Sequence, residues 1–219
     1  MPVISKSTQK DLATHPDSLY WCKDHRGQSY SRNQAIKLIK DFHGHVAPGL
    51  VIGTKMVSLA MDQLPKDILF DAISETTSCL PDAVQMLTLC TIGNGWLCVK
   101  DLGRYAVILY NKFQGDGVRV FLDSEKLAAW PEFYNWFYKR KAKKDQDFDH
   151  LIEEIHTAAQ KVLTIQTVKV KPSYLVRRSK GEIATCALCG EAFPNSHGSI
   201  CRGCQGGSPC EILTVDTLD

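Results

Sequence analysis

Apolar positions recur along this chain at three- and four-residue steps in some stretches and alternate or run together in others, and the change of period marks out its elements. The stretch around which the rest is arranged is 42–61, FHGHVAPGLVIGTKMVSLAM, where Leu50, Met56, Val57, Ala60 and Met61, with Leu64 just beyond, fall on a helical stripe. Proline suits a first helical position, so Pro48 starts this helix, and Pro65 ends it. Upstream, Ser31 and Gln34 form a capping box for a helix through Ile36, Leu38, Ile39 and Phe42, which brings His43 to its C-terminal end. The two histidines His43 and His45 thus fall between two helices. Residues 68–76 read as a buried strand, followed by Cys79 and a short helix that starts at Pro81 and Asp82 and leaves Cys90 at its far end.

Three further strands, 96–100, 104–112 and 117–122, are joined by tight Asp-Leu-Gly and Gln-Gly-Asp connections and predict an antiparallel meander. Residues 124–138 predict one helix kinked at Pro131 and ending in the basic run KRKAKK; 149–163 predicts another helix and 165–170 a strand. Helices and strands in runs, rather than in strict alternation, favour an α+β class, with helices packed on a mainly antiparallel sheet. The organisation expected is an irregular arm over 1–30, a core over 31–170, a linker over 171–182 and a small module over 183–219.

Composition narrows the function. With 26 Lys and Arg against 24 Asp and Glu in 219 residues, the net charge of +2 gives no global field for a nucleic acid or a membrane surface. No apolar run approaches the roughly 20 residues of a spanning helix, and the opening residues carry no apolar leader, so the cytoplasm is the expected compartment. In a reducing compartment the nine cysteines read as ligands or reactive thiols rather than disulfides. Local basic clusters, 139–144 and Arg177, Arg178 and Lys180, read as solvated surface, the first being offset by Asp145, Asp147 and Asp149.

The most specific chemical signal is C-terminal. Cys186-x-x-Cys189 and Cys201-x-x-Cys204 bracket eleven residues, and two such knuckles supply four thiolates for one tetrahedral zinc. A site closed by four thiolates is structural, and metal supplies much of the folding free energy of so small a module. His197 and Cys210 are spare ligands nearby, Cys210 the better of the two. A second, dispersed set comprises His43, His45, Glu75, Cys79, Asp82, Gln85 and Cys90. Cys79 at a helix N-terminus would have its thiolate stabilised, which suits a nucleophile or a second metal held by His43, His45 and Cys79. Taken singly, Cys90 and Cys98 read as small buried hydrophobes.

The motifs FHGHVAPGLVIGTKM, ETTSCLPDAVQMLTLCTIGNGWL and DLGRYAVILYN resemble the FmdE family of formylmethanofuran dehydrogenase proteins, and the knuckle pair resembles the treble-clef zinc finger that many members append. The resemblance implies an α+β core with a polar cleft, a homodimer, and a tie to a molybdenum or tungsten formylmethanofuran dehydrogenase of one-carbon metabolism. Carried over by position, the cleft holds His43, His45, Cys79, Asp82, Gln85, Cys90 and Thr91, with His43, Cys79 and Cys90 as the catalytic candidates. The chain departs from the family pattern at Ala47 and Leu89, where cysteines are usual, and at Asn94, where a lysine is. Two functions are expected from this: an accessory subunit whose cleft binds a metal or a one-carbon carrier, or a non-catalytic metal- or redox-sensing or metal-trafficking protein whose finger contacts a partner.

Overall fold

The computed structural model describes residues 20–176 and 181–213. They belong to two compact units, one ending at Leu175 and the other starting at Val176. The first begins with a short antiparallel hairpin, β1 (Cys22–Lys23) and β2 (Ser29–Tyr30), followed by α1 (Arg32–His43) and α2 (Pro48–Gln63). Both helix starts follow the local sequence: the Ser31–Gln34 capping box is formed, and Pro48 occupies the first turn of α2.

Helix α2 is the centre of this unit. It is buried along nearly its whole length, including Thr54, Lys55 and Ser58, and a helix that is buried all round must find partners for such polar side chains. They come from the segment that the sequence presents as an arm. The Trp21 indole N–H donates to Thr54 Oγ1 at 3.1 Å, the Lys23 N–H donates to Ser58 Oγ at 3.0 Å, and the Lys55 ammonium lies over the Trp21 ring. The start of this hairpin is therefore built into the core, with Trp21, Cys22 and Asp24 buried, while residues 25–29 turn outward.

The sheet has the order β4-β3-β5-β6-β7, with β3 (Phe70–Ser74), β4 (Leu97–Val99), β5 (Ala106–Asn111), β6 (Asp116–Leu122) and β7 (Leu163–Lys169). Here the structure corrects the expected meander. Strand β4 does not pair with β5; it runs parallel to β3 on the outer edge, and β5 pairs antiparallel with the other edge of β3. The reason is α3 (Leu80–Leu87), which supplies the crossover that a parallel pair requires. Residues 101–104 then carry the chain back across the end of β3, where the N–H groups of Leu102 and Arg104 both donate to the Glu75 carbonyl. The hairpin β5–β6 and the pair β6–β7 are antiparallel as the turn chemistry predicts. Val107, Leu109, Val118 and Val120 of the sheet belong to the same core cluster as α2.

Beyond β6 the single kinked helix separates into α4 (Ser124–Leu127) and α5 (Pro131–Phe137), because the residue before proline is pushed out of helical conformation and Trp130 adopts φ −126°, ψ 86°. Helix α6 (Phe148–Ala158) follows, and Leu175 packs with Tyr110 and Val170, so the expected linker from 171 begins inside the first unit. Arg177, Arg178 and Lys180 of that linker lie outside the described residues. In that unit β8 (Ile183–Thr185) and β9 (Ala192–Pro194) form an antiparallel hairpin. No helix among the described residues is long and apolar enough to cross a membrane.

Candidate functional site

Glycine spacing on α2 sets the site. Gly49 and Gly53 are one turn apart on the face toward α3, and a Cβ on Gly53 would stand 3.2 Å from both Ala83 Cβ and Leu80 Cδ2. At Gly49 a Cβ would fall 2.8 Å from Cys79 Sγ and 2.7 Å from Tyr105 Oη, so only glycine lets the first turn of α2 meet the thiol this closely. Cys79 itself caps α3 at positive φ, 55° with ψ −45°. Its sulfur is held by the start of α2 rather than by its own helix: the Leu50 N–H hydrogen-bonds to it, and it shares a hydrogen bond with the Tyr105 oxygen, whose own proton goes to the Gly49 carbonyl at 2.7 Å.

This geometry corrects the expected thiolate. Burial pushes the Cys79 thiol above the ordinary range, Asp82 adds to the rise, and hydrogen bonding with Tyr105 and Leu50 offsets only part of it. Burial, with the neighbouring thiol, also drives Tyr105 well above the usual phenol value. Cys79 is thus a protonated thiol at neutral pH.

A cavity of about 600 Å³ opens beside it. The first turn of α2 forms its floor, with His45, Val46, Ala47, Pro48 and Gly49, and Ser78, Cys79 and Tyr105 form one wall. The rest of the lining comes from α5 and the segment after it: Trp136, Phe137, Lys139, Lys143, Gln146 and Phe148. Phe137 meets the Tyr105 ring edge-on at 6.0 Å between centroids. Sequence reasoning missed this part of the lining. The signal was present in the aromatic run 136–138 leading straight into lysines, which reads as the solvated end of a helix until its neighbours are known.

The remaining candidates divide. His43 ends α1 and its Nδ1 lies 2.8 Å from Asp82 Oδ2, while its ring stacks at a tilt on His45, 4.6 Å between centroids. His43 and Asp82 thus stand behind His45, next to the cavity lining. Glu75 and Cys90 go elsewhere. Alternation along the extended chain sends the Glu75 side chain to the sheet face opposite Ser74, where it accepts from Arg119 at 2.7 and 3.0 Å and pairs with Arg104 at 2.9 Å. Cys90 lies beyond the far end of α3, about 12 Å of helix from Cys79, with its thiol toward the Phe70 carbonyl and pushed by burial up to about 11. Gln85 and Thr91 secure the turn that follows: Gln85 Oε1 accepts from the Ile92 N–H, and Thr91 and Asn94 bond each other. His43, Cys79 and Cys90 therefore do not converge as a catalytic group.

The four C-terminal cysteines do converge. Among the described residues, Cys186, Cys189, Cys201 and Cys204 are the one group of three or more His, Cys, Asp or Glu side chains whose ligand atoms all lie within 4.8 Å of one another. The Cys189 and Cys201 sulfurs are 3.8 Å apart, the edge of a tetrahedron with zinc–sulfur bonds of about 2.3 Å. Backbone N–H groups of Cys189 and Cys201 pull the Cys186 thiol down to about 6, and crowding by the Cys189 and Cys201 thiols lifts Cys204 to about 12. A dication relieves that mutual repulsion, so the donor set fits structural zinc. Neither spare joins: Cys210 is exposed beside Ser208, and His197 contributes its carbonyl to Gln205. The proposed second group, His43, His45 and Cys79, is not brought together in the same way.

Comparison with known proteins agrees with this architecture. The model of the family described as FmdE, molybdenum formylmethanofuran dehydrogenase operon, matches residues 42–171, more than half of the chain. The chain belongs to the FmdE family. The FmdE treble clef zinc finger matches residues 177–211. The crystal structure of a tungsten formylmethanofuran dehydrogenase FmdE-like protein from Syntrophus aciditrophicus is 47% identical, with a TM-score of 0.76 over 87% of this chain and 99% of that one. A curated protein of Archaeoglobus fulgidus described as a probable S-adenosyl-L-methionine-binding protein is 30% identical over 191 residues, 76% of this chain; the chain spans about half of that relative, 51%.

Proposed function

We propose that this FmdE protein binds the organic carrier of a one-carbon unit in the cavity beside Cys79, as an accessory subunit of a molybdenum- or tungsten-dependent formylmethanofuran dehydrogenase-type assembly. The observation that carries the reading is the cavity itself: about 600 Å³ lined by aromatic rings and a few polar groups is the usual form of a small-molecule site. Membership of the FmdE family and the likeness to an FmdE-like protein support the link to one-carbon chemistry.

A binding role is favoured over catalysis by Cys79, because its thiol is protonated and His43 is committed to Asp82. An organic ligand is favoured over a second metal, because the imidazoles and the thiol would first have to move together. The test is equilibrium binding on the zinc-loaded chain with a furfurylamine carrier and its formamide, a reduced pterin, S-adenosylmethionine, and cobalt alone, each repeated on Ser78→Trp. Ser78 is exposed at the cavity wall, so the tryptophan fills the cavity without entering the core. Binding of a carrier that Ser78→Trp abolishes supports the proposal. Binding of S-adenosylmethionine alone would move the function to the ligand named for the relative, and tight cobalt binding in the core with no organic ligand would favour the metal-sensing alternative.

A further inference from the structure

The wall that the sequence left as a solvated helix end carries the specificity of this cavity. Of the basic run 139–144, Lys141 is neutralised by Glu132, whereas Lys139 and Lys143 line the cavity and pair with no carboxylate among the described residues. No aspartate or glutamate is among the lining residues, so nothing inside the cavity offsets the two ammonium groups.

The backbone at Lys139 points the same way. Helix α5 ends with the Arg140 N–H donating to the Asn135 carbonyl and the Lys139 N–H to the Trp136 carbonyl, the paired closure that places the intervening residue in left-handed conformation. Glycine is the usual residue there; this chain holds lysine at φ 52°. Cys79, also in the cavity lining, is likewise a non-glycine residue at positive φ. Strained residues that face one cavity from two separate elements mark it as a site where side-chain position outweighs local comfort.

A third source of positive potential is the start of α2. Ala47 at its N-cap supplies no side-chain acceptor and Pro48 has no N–H; the Leu50 N–H goes to Cys79 and the Val51 N–H to the Ala47 carbonyl, which leaves Gly49 and the positive end of the 16-residue helix dipole beside the cavity. We infer that the ligand of this cavity carries an anionic group, a carboxylate or phosphate, held by Lys139 and Lys143 against the α2 N-terminus, with a flat apolar portion against Trp136, Phe137 and Phe148. This rests on the reading of the cavity as the carrier site and names the class of carrier it selects.

The experiment uses two probes of one shape, naphthalene-2-carboxylate and naphthalene-2-carboxamide, in equilibrium dialysis against the full zinc-loaded chain. The carboxylate should bind at least tenfold more tightly than the amide, and that preference should shrink as salt is raised from 50 to 300 mM. Lys139→Gly and Lys143→Met should each lower carboxylate affinity several-fold and leave the amide unchanged. Lys139→Gly relieves the positive φ, so its melting temperature should hold or rise, which separates lost affinity from lost folding. Equal binding of the two probes, both blocked by Ser78→Trp and neither altered by the lysine variants, overturns the anionic specificity while leaving the cavity as a site. Probe binding that Ser78→Trp does not touch lies outside the cavity and overturns the carrier-site reading with it.

Discussion

Replacing Glu75 by glutamine separates scaffold from site. The carboxylate is 5% exposed and receives two hydrogen bonds from Arg119, which is itself 13% exposed, while Arg104 is 58% exposed and contributes little. Removing one partner of a buried pair costs about 3–5 kcal/mol, because the other charge is left without its counter-ion. Arg119 keeps the Gln166 side-chain carbonyl as an acceptor and its place over the Phe121 ring, so the lower end, about 3 kcal/mol, is expected. For a unit of this size that is a fall of roughly 6–12 °C in melting temperature. All four tryptophans, Trp21, Trp96, Trp130 and Trp136, lie in the first unit, so tryptophan fluorescence follows its unfolding without interference from the zinc module. Glu75→Met combined with Arg119→Met should lose less than Glu75→Gln alone, since the pair is then removed together. A stability change below about 1 kcal/mol in Glu75→Gln, or a loss of cavity binding at unchanged stability, would refute a purely structural Glu75.

Three further outcomes are expected. Cys79 should react with iodoacetamide along a pH profile displaced above that of an ordinary thiol, and Tyr105→Phe should displace it further by removing a hydrogen bond that favours the thiolate; a profile shifted below the ordinary range would contradict the burial argument. His156 is buried at the edge of Trp21 with Nε2 unpartnered, and burial, then Arg32, lowers its pKa. The unfolded chain therefore takes up a proton first, and stability should fall as pH drops below about 6.5 toward the depressed folded value. Urea midpoints measured on both sides of that range should show a smaller fall in His156→Leu, and an identical fall would assign the effect to other groups. Cys186→Ser should lose the single zinc by elemental analysis while tryptophan fluorescence of the first unit stays unchanged, and full zinc retention would contradict the four-thiolate site.

What was legible in the sequence was legible because it is local. The capping box at Ser31, the proline that opens α2 and the two knuckles each write their geometry within a few residues, and each forms as read. The position of β4 is not local: a strand of three residues carries no mark of which edge it joins, and the choice depends on α3 spanning the β3 end. The hairpin at 22–30 escaped notice for a related reason, since strands of two residues show no period and Trp21 reveals its role only when its indole is seen to reach Thr54 on α2. Glu75 and Cys90 were drawn toward Cys79 by their nearness in sequence. One is turned away by strand alternation and the other is removed by the length of a helix, both of which act on the side chain rather than on the motif.

The two faces of α2 explain why a cavity forms where it does. Its polar side, Thr54 and Ser58, is anchored by the hairpin, and its small side, Gly49 and Gly53, draws α3 into near backbone contact. With rotation fixed from both sides, the first turn of the helix meets α3 at Cys79 and leaves its remaining side to the cavity. Only there does the fold bring in a separate element, the aromatic and lysine wall that follows Pro131. On the proposed reading the side chains that select the ligand, Lys139 and Lys143, are exposed and lie off α2, where they can be exchanged without disturbing it. Relatives that share the helix pair and the thiol but differ over 136–148 would keep the cavity and change what enters it.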